Sequence, residues 1–414
     1  MKIEKLKNAA ENFGTPLYVY DLLVIDRQLQ KLKEAFKKLN NYKIYFAAKA
    51  LSNISILKYI NNLNLGIDAA SIEEVKTGIK CGFKTNMILF TPNGIDFSEV
   101  KEAMSLGVKI NLDSLESLID FSNYYPNQPV SIRINPNILA GANENVSVGH
   151  LNSKFGIPEE QIQDIIKMEK EKKIKVTALH IHTGSDITDE NHFELGIRKI
   201  FSHAYNFKNI DTIDLGGGIK IPYFDGDTET NLNKYADIIF KELQKFKLKK
   251  GKDLKLIFEP GKFLVSDSGY FIAKVNYVKK TRQNTFLQVN SGFNHLIRPT
   301  LYRSHHEIIN LSNPDFKKFK YSVVGYICEK DTFADRRMIS KVSKGDLLCF
   351  KNSGAYGFSM TSNYNSRLKP AEVCIYKNEI KKIREGEKFD DLFRGQIDIF
   401  KDWYVANINC LIRY

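Results

Sequence analysis

The feature that most constrains this chain is a regular alternation of short apolar segments with longer amphipathic ones. Eight apolar or β-branched runs recur over about 230 residues, and Lys- and Glu-rich stretches with helical spacing separate them. Eight strands that alternate with helices match the size and order of a (β/α)8 barrel. A doubly wound sheet is the structural alternative, but no G-x-G-x-x-G follows the first run. The predicted strands are residues 42–48, 66–70, 87–91, 108–112, 130–134, 176–182, 212–215 and 254–258.

The segments after the predicted barrel have a different character. From about residue 265 they are shorter and rich in Val, Ile, Phe and Tyr, which predicts a mostly antiparallel β domain. The strand-like run PLYVYD at residues 16–21 precedes the barrel, and we expect it to pair with that second domain. We therefore predict a barrel over residues 25–264 and a β domain built from residues 1–24 and 265–414.

The composition excludes several classes of protein. Of the 414 residues, 43% are hydrophobic and 26% are charged, which excludes a disordered or collagen-like chain. The longest apolar runs fall far short of the ~20 residues that span a bilayer, so no membrane association is expected. The opening segment MKIEKLKNAAENFG is charged throughout and lacks the apolar core of a secretory signal, so we expect a cytoplasmic protein. The net charge is +13, but the lysines are dispersed, so nucleic-acid binding is not expected.

Neither the cysteines nor the histidines form a metal-binding pattern. The five cysteines are widely spaced and form no C-x-x-C pair, which indicates free thiols. His305 and His306 are adjacent but have no third ligand at a suitable spacing, so no metal is predicted. The cysteines are Cys81, Cys328, Cys349, Cys374 and Cys410.

Polar and glycine residues collect where the predicted strands end. A barrel enzyme places its reactive groups at the carboxyl ends of its strands, so these residues are the candidates for a site. They lie in the motifs YFAAKALSN, GIDAAS, SIRINPN, HIHTGSD, DLGGGI and FEPGK. The residues concerned are Lys49, Asp68, Arg133, His182, Gly184, Ser185, Gly216, Gly217, Gly218, Glu259, Gly261 and Lys262.

Together these residues fit the binding of an aromatic aldehyde phosphate. A lysine in an apolar strand loses solvation, so we expect the pKa of Lys49 to be lowered and its amine to form a Schiff base. The glycines at 216–218 let backbone N–H groups approach a phosphate, and the Ser185 hydroxyl adds a donor. His182 can stack on a flat ring, and Glu259 can pair with a protonated pyridine nitrogen. Taken singly, each has a structural explanation as a surface lysine, a turn or a core histidine, but their convergence at one barrel end favours a site.

Three carboxyl-terminal motifs add to these residues. They are NHLIRPTLY at 294–302, VGYICEKDTF at 324–333 and GAYGFSMTSNYNSR at 354–367. With them the sequence resembles the fold-type III decarboxylases that use pyridoxal 5'-phosphate (PLP), and within them the diaminopimelate decarboxylase family, over nearly the whole chain. The resemblance implies a barrel of the alanine-racemase type with PLP as cofactor. It also implies decarboxylation of meso-2,6-diaminopimelate to L-lysine and carbon dioxide in a homodimer with composite sites.

The resemblance also implies a role for individual residues. Lys49, His182 and Cys328 would be catalytic, with Lys49 joined to the cofactor and Cys328 donating a proton. Cys328 and Glu329 would reach into the site of the partner subunit. The cofactor would be held by Lys49, Asp68, His182, Ser185, Gly216, Gly217, Gly218, Glu259, Gly261, Lys262 and Tyr356. The substrate would be bound by Lys262, Arg298, Tyr302, Glu329 and Tyr356.

Some positions depart from the family pattern. Lys262 stands where the family usually has arginine, so it keeps the charge but loses the bidentate fork. Asn-Ser-Gly-Phe at 290–293 replaces the usual D-A-G-M, Tyr326 replaces a proline, and Lys330 replaces a serine. Because the charged anchors survive, we interpret these positions as a variant branch in which Lys330 can alter the substrate pocket.

Several alternatives stay open on the sequence. A decarboxylase of the same fold can act on ornithine, arginine or carboxynorspermidine, although Glu329 beside a retained Arg298 favours the diaminopimelate pattern. A racemase of this fold is disfavoured by Glu259, because those enzymes typically place an arginine opposite the pyridine nitrogen. A non-catalytic PLP-binding protein would not need the second domain. Cys328 can also be a small apolar core residue rather than an acid.

Overall fold

The computed structural model describes residues 3–138, 149, 153–171, 174–187 and 189–400. The chain begins with helix α1 (Ile3–Phe13), strand β1 (Leu17–Asp21) and helix α2 (Leu22–Ala35). Asp21 ends β1 and caps α2, because its carboxylate accepts a hydrogen bond from the backbone N–H of Leu23. The last part of the predicted β domain, 401–414, and Cys410 within it lie outside the described residues.

Eight parallel strands form a closed barrel, as the apolar runs predict. The barrel strands are β2 (Tyr42–Ala47), β3 (Gly66–Ala69), β4 (Ile88–Phe90), β5 (Lys109–Leu112), β6 (Pro129–Asn135), β8 (Lys175–Ile181), β9 (Thr212–Asp214) and β10 (Lys255–Phe258). In spatial order they run β5, β4, β3, β2, β10, β9, β8 and β6, and β5 pairs with β6 to close the ring. A two-residue strand, β7 (Ile157–Pro158), adds to β6.

Helices cover the outside of the barrel. Most begin at an Asn, Asp or Ser whose side chain accepts a hydrogen bond from the first turn, which explains why the amphipathic stretches start where they do. The last of these helices continues through a lysine-rich stretch to Lys250, because lysines at a helix carboxyl end are favourable and Gly251 supplies the left-handed cap. The helices are α3 (Ile54–Asn62), α4 (Ile72–Lys80), α5 (Phe97–Ser105), α6 (Leu115–Tyr124), α7 (Ile162–Glu171), α8 (Glu190–Ala204) and α9 (Leu232–Lys250).

The remaining strands form a second, mostly antiparallel sheet, as predicted. The elements that follow the barrel are α10 (Lys262–Val265), β11 (Gly269–Lys280), β12 (Thr285–Val289), α11 (Arg298–Tyr302), β13 (Ile308–Asn310), β14 (Lys318–Val324), β15 (Thr332–Ser340), β16 (Leu347–Phe350), β17 (Ala371–Tyr376) and β18 (Glu379–Arg384). The main path is β15, β14, β12, β11, β1, β17 and β18, with β16 paired to β11 and β13. Strand β1 lies in the middle, antiparallel to β11 and parallel to β17, which confirms the expected pairing.

Buried polar contacts fix the sheet against the barrel. Glu372 of β17 accepts hydrogen bonds from the Tyr20 hydroxyl at 2.7 Å and from the amide of Asn53, the cap of α3, at 2.9 Å. The backbone N–H of Tyr356 donates to the carbonyl of Ala50, just past β2, at 2.8 Å. The second sheet therefore places the 354–359 loop at the end of the barrel where β2 ends. Among the helices described above, none combines the length and the apolar character needed to cross a bilayer.

Candidate active site

A cavity of about 700 Å³ opens at the carboxyl ends of the barrel strands, where the second sheet meets the barrel. Its wall combines the strand-end residues with residues from α11 and from the 354–359 loop. The structure therefore brings most of the predicted site together in one place. The predicted residues in its wall are Lys49, Asp68, Arg133, His182, Ser185, Gly217, Gly218, Glu259, Gly261, Lys262, Arg298, Tyr302 and Tyr356.

Lys49 lies in a single helical turn directly after β2, and its side chain is half exposed to the cavity. Its Nζ lies 3.0 Å from Oδ2 of Asp68, which is only 1% exposed. Burial lowers the pKa of Lys49, but the negative charge of Asp68, with Tyr356 and Glu259, outweighs burial and raises it above the usual range. The expectation of a lowered pKa is therefore wrong, because the neighbouring strand supplies a carboxylate that stabilises the ammonium form.

Glu259 lies on the floor of the cavity, at the end of β10, beside a buried histidine. His180 Nε2 lies 3.4 Å from Glu259 Oε2. On the other side of the ring, the Asn111 amide donates to His180 Nδ1 at 2.6 Å, which leaves the ring proton on the nitrogen that faces Glu259. Burial and the Arg133 charge lower the pKa of His180 well below its usual range, so the ring is neutral.

A second carboxyl lies beside Glu259. Reactive atoms of Asp214, Glu259 and His180 all lie within 4.8 Å of one another, and all three residues are buried. Burial raises the pKa of Asp214 to about 7, and burial and the charge of Asp214 raise the pKa of Glu259 well above its usual range. Asp214 is also held in place by the backbone N–H of Gly216 at 2.9 Å. The two carboxyls therefore retain protons at a pH where exposed carboxyls are ionised.

The three glycines after β9 form a tight backbone loop between β8 and β10. Gly216 and Gly218 have φ values of 61° and 94°, a region that glycine adopts at no steric cost and most other residues do not. A Cβ on Gly217 would lie 2.7 Å from the carbonyl oxygen of Glu259, so a side chain has no room there. The N–H of Gly217 donates to Nδ1 of His182 at 3.2 Å and sets the orientation of that imidazole. The loop thus presents bare backbone to the cavity, next to Ser185.

Further charged groups in the cavity wall fit a carboxylate. Arg298 is 3% exposed and donates from Nη2 to the Tyr223 hydroxyl at 3.3 Å, while its Nε and Nη1 make no hydrogen bond within the described structure. Lys262 Nζ lies 2.6 Å from Asp186 Oδ2, and both side chains are only about a tenth exposed. The arginine therefore has donors available for a ligand, whereas the lysine is already paired.

Comparison with known proteins identifies the family. Residues 23–266 match the model of the pyridoxal-dependent decarboxylase, pyridoxal binding domain. The diaminopimelate decarboxylase of Methanothermobacter thermautotrophicus is 34% identical over 94% of this chain and 92% of its own length. The chain belongs to the diaminopimelate decarboxylase family. Its relative in Campylobacter jejuni is 34% identical over 93% of this chain and 96% of its own. The Helicobacter pylori diaminopimelate decarboxylase, solved with L-lysine, covers 95% of this chain and 98% of its own at 32% identity and a TM-score of 0.86.

Membership of the diaminopimelate decarboxylase family confirms the resemblance, the fold class and the pyridoxal cofactor that the sequence predicts. The residues present fit that cofactor. Glu259 Oε1 is buried and accepts no hydrogen bond from the described residues, as expected of a group that meets a ring N–H. The bare backbone at 216–218 leaves space for a phosphate, and the Lys49 amine reaches the same cavity.

Four predicted residues do not line this cavity, namely Gly184, Gly216, Cys328 and Glu329. Cys328 and Glu329 are exposed in the loop between β14 and β15. The Asn365 amide contacts Cys328, and the Tyr364 hydroxyl donates to Glu329. Cys328 is not an apolar core residue of its own chain, so that alternative is wrong.

The sequence reasoning missed five residues that shape the site, namely Asn111, His180, Asp186, Asp214 and Tyr223. His180, Asp186 and Asp214 stand inside motifs already singled out, HIHTGSD and DLGGGI. Each aspartate lies two residues from a glycine of its motif, which was the available sign. Asn111 lies on β5 and Tyr223 follows the glycine loop, and nothing local in the sequence marks either one.

Proposed function

We propose that this chain decarboxylates meso-2,6-diaminopimelate to L-lysine and carbon dioxide with PLP as cofactor. The observation that carries the proposal is that one cavity combines Lys49, the glycine loop and Glu259 with the buried Arg298. The first three fit an aldehyde, a phosphate and a ring nitrogen, and the arginine fits a carboxylate at the far end of a substrate. Membership of the family supports the same reaction.

The proposed cofactor contacts follow from where each residue lies. Lys49 would bind the cofactor covalently, and Asp68 would hold its amine in place from the next strand. The neutral His182 would cover one ring face, and Glu259 would meet the ring nitrogen. When bound, PLP draws electron density from the carbon that loses its carboxylate. The phosphate would be held by Ser185, Gly216, Gly217, Gly218 and Tyr356, beside Gly261 and Lys262.

The substrate contacts are proposed around Arg298, in the wall of the same cavity. Arg298 would bind the distal carboxylate through Nε and Nη1, with Tyr302 and Tyr356 beside it. Lys262 is assigned to the same carboxylate, but a substrate would have to compete there with Asp186. Arg298 is therefore the principal carboxylate anchor in this proposal.

We propose a homodimer in which each chain completes the site of its partner. Support comes from Cys328 and Glu329, which are exposed on the 325–331 loop rather than in their own cavity. Glu329 from a partner would pair with the distal ammonium of the substrate, and the Cys328 thiol would supply a proton. The domain boundaries at residues 25 and 264 and the cytoplasmic location stay predictions.

The decisive experiment offers several substrates in parallel. Purified protein with PLP is incubated with meso-diaminopimelate, the LL isomer, ornithine and arginine, and both carbon dioxide and the amine or amino-acid product are quantified. Lysine formed from the meso isomer alone is the expected result. Carbon dioxide from ornithine or arginine instead would assign the chain to the alternative substrates of this fold. No product from any of them would refute the proposal.

A further inference from the structure

The loop that carries Cys328 and Glu329 runs beside the segment 362–367, which follows the 354–359 loop. Side chains pair across the two segments in step. The Arg367 guanidinium lies 4.0 Å above the Tyr326 ring, the Asn365 amide meets Cys328, and the Tyr364 hydroxyl donates to Glu329. The series 326, 328, 329 therefore opposes the series 367, 365, 364. The two segments are therefore joined by three consecutive side-chain contacts, and the central contact is that between Cys328 and Asn365.

Asn365 holds Cys328 at two points. Its Oδ1 accepts a hydrogen bond from the Cys328 backbone N–H at 3.2 Å, and its Nδ2 donates to the Cys328 Sγ at 3.3 Å. The backbone φ of Asn365 is 55°, a left-handed conformation that asparagine tolerates better than most residues. One amide thus holds both the backbone and the sulfur of the residue proposed to donate the proton.

Both segments are anchored at their base. The Tyr364 ring stacks on Phe293 at 5.8 Å and 19°. Asp331 accepts hydrogen bonds from the backbone N–H groups of Phe293, at 2.8 Å, and Ile327, at 3.0 Å. A Cβ on Gly325 would lie 2.1 Å from Asp331 Oδ2, so this turn accepts only glycine. The exposed tip is therefore held on a fixed base rather than on a free loop.

We propose that Asn365 is a positioning residue that orients the Cys328 thiol for proton donation. The inference rests on the proposed function. In the step concerned, the bond between the substrate carbon and its carboxylate breaks and carbon dioxide leaves. The electron pair that remains on that carbon takes the proton of the Cys328 thiol, and the thiolate then recovers a proton from water. The Nδ2–H of Asn365 stabilises the thiolate and fixes the direction from which the proton arrives.

Two substitutions of Asn365 distinguish a role in orienting Cys328 from a role in folding. Asn365→Gly removes both contacts while keeping a residue that accepts positive φ, and Asn365→Asp keeps the acceptor but replaces the donor to sulfur by a carboxylate. The matched control is Asn378→Gly, because Asn378 also has positive φ (69°) and lies in the turn between β17 and β18, where its side chain contacts Lys5. Each protein is prepared as the full chain loaded with PLP.

The main readout is the stereochemistry of protonation. Decarboxylation of meso-diaminopimelate in D2O places one deuterium on the product carbon, and NMR of the lysine measures its configuration. Asn365→Gly is expected to lower kcat about tenfold to a hundredfold, to change KM less than about twofold and to give mixed configuration, since a misplaced group costs up to ~10²-fold. A variant that retains the parent kcat and a single configuration overturns the proposal. Asn378→Gly is expected to match the parent.

A second readout does not depend on turnover. The rate at which iodoacetamide alkylates Cys328 is followed by mass spectrometry, with the buried Cys81, Cys349 and Cys374 as internal references. The rate in Asn365→Asp is expected to fall at least about fivefold, because a carboxylate beside the sulfur opposes the thiolate. An unchanged alkylation rate would refute the claim that Asn365 holds the Cys328 sulfur. A parent that makes no lysine but shows the alkylation difference refutes the proposed function and leaves the contact standing.

Discussion

Substituting Gly217 by alanine tests the glycine loop as a cofactor site. Unlike Gly216 and Gly218, this residue does not have positive φ, so the substitution adds no backbone strain of that kind. Its Cβ would lie 2.7 Å from the Glu259 carbonyl oxygen, whereas ordinary contact begins at 3.4 Å. The loop must therefore move away from Glu259 by about 0.7 Å, the difference between those distances.

The neighbouring backbone cannot easily move away to make room for this Cβ. The N–H of Glu259 donates to the Gly216 carbonyl at 2.7 Å, so the two loops are already joined on the side that has to open. Strain of this kind typically costs about 1–3 kcal/mol. If binding the cofactor requires the original position, the Kd for PLP rises about fivefold to 150-fold, at ~1.4 kcal/mol for each factor of ten.

The assay is a fluorescence titration of cofactor-free protein with PLP. Gly386→Ala is the matched control, because a Cβ there has its nearest contact at 3.4 Å, to the Ala371 nitrogen, and its φ is not positive. The control is expected to bind PLP like the parent, and Gly217→Ala more weakly. Equal affinity of Gly217→Ala and the parent would refute the reasoning that this loop presents its backbone to the cofactor.

Three further predictions concern titratable residues in or beside the cavity. Borohydride reduction of the PLP-loaded parent should leave the cofactor mass on the Lys49 peptide, and Lys49→Ala should carry none; a label on another peptide would contradict the assignment. Because burial raises the pKa of Asp214 to about 7, the native state holds a proton between pH ~4 and ~7 that the unfolded state has released. Stability should therefore fall as pH rises through that window, and Asp214→Asn should show a shallower fall in melting temperature; equal slopes would contradict this. Asp186→Asn should destabilise the protein by up to about 3–5 kcal/mol, because Lys262 loses its partner in a nearly buried pair. Adding Lys262→Met to this variant should restore much of the lost free energy of unfolding, measured by chemical unfolding. If the effects of the two substitutions simply add, the two charges are not coupled.

The barrel could be predicted because its strands are mostly buried and six of the eight end at or near a residue of the predicted site. The run before Lys49 is apolar, and the break at the lysine marks both the end of β2 and a member of the site. The same holds for β10 and Glu259. The end of α9 also has a local cause, which is readable in the lysines of its last turn and in Gly251 after them.

What the sequence could not provide are the contacts between distant segments. The pKa of Lys49 depends on Asp68, which lies 19 residues away on the next strand. The partner of Lys262 lies 76 residues earlier, and a positive net charge along the sequence says nothing about which lysines are paired. The Cys328 motif identifies a residue but not the segment that holds it, since Asn365 reaches it from 37 residues away.

The position of β1 also constrains the order in which the molecule can be assembled. This strand leaves the ribosome among the first 21 residues, yet its neighbours β11 and β17 begin only at residues 269 and 371. Translation at ~5–20 residues per second would separate β1 from the start of β17 by roughly 20–70 s. All eight barrel strands are synthesised within that interval. The nascent chain must therefore keep the apolar side chains of Leu17 and Val19, both fully buried in the finished protein, from premature pairing until its last quarter has been made.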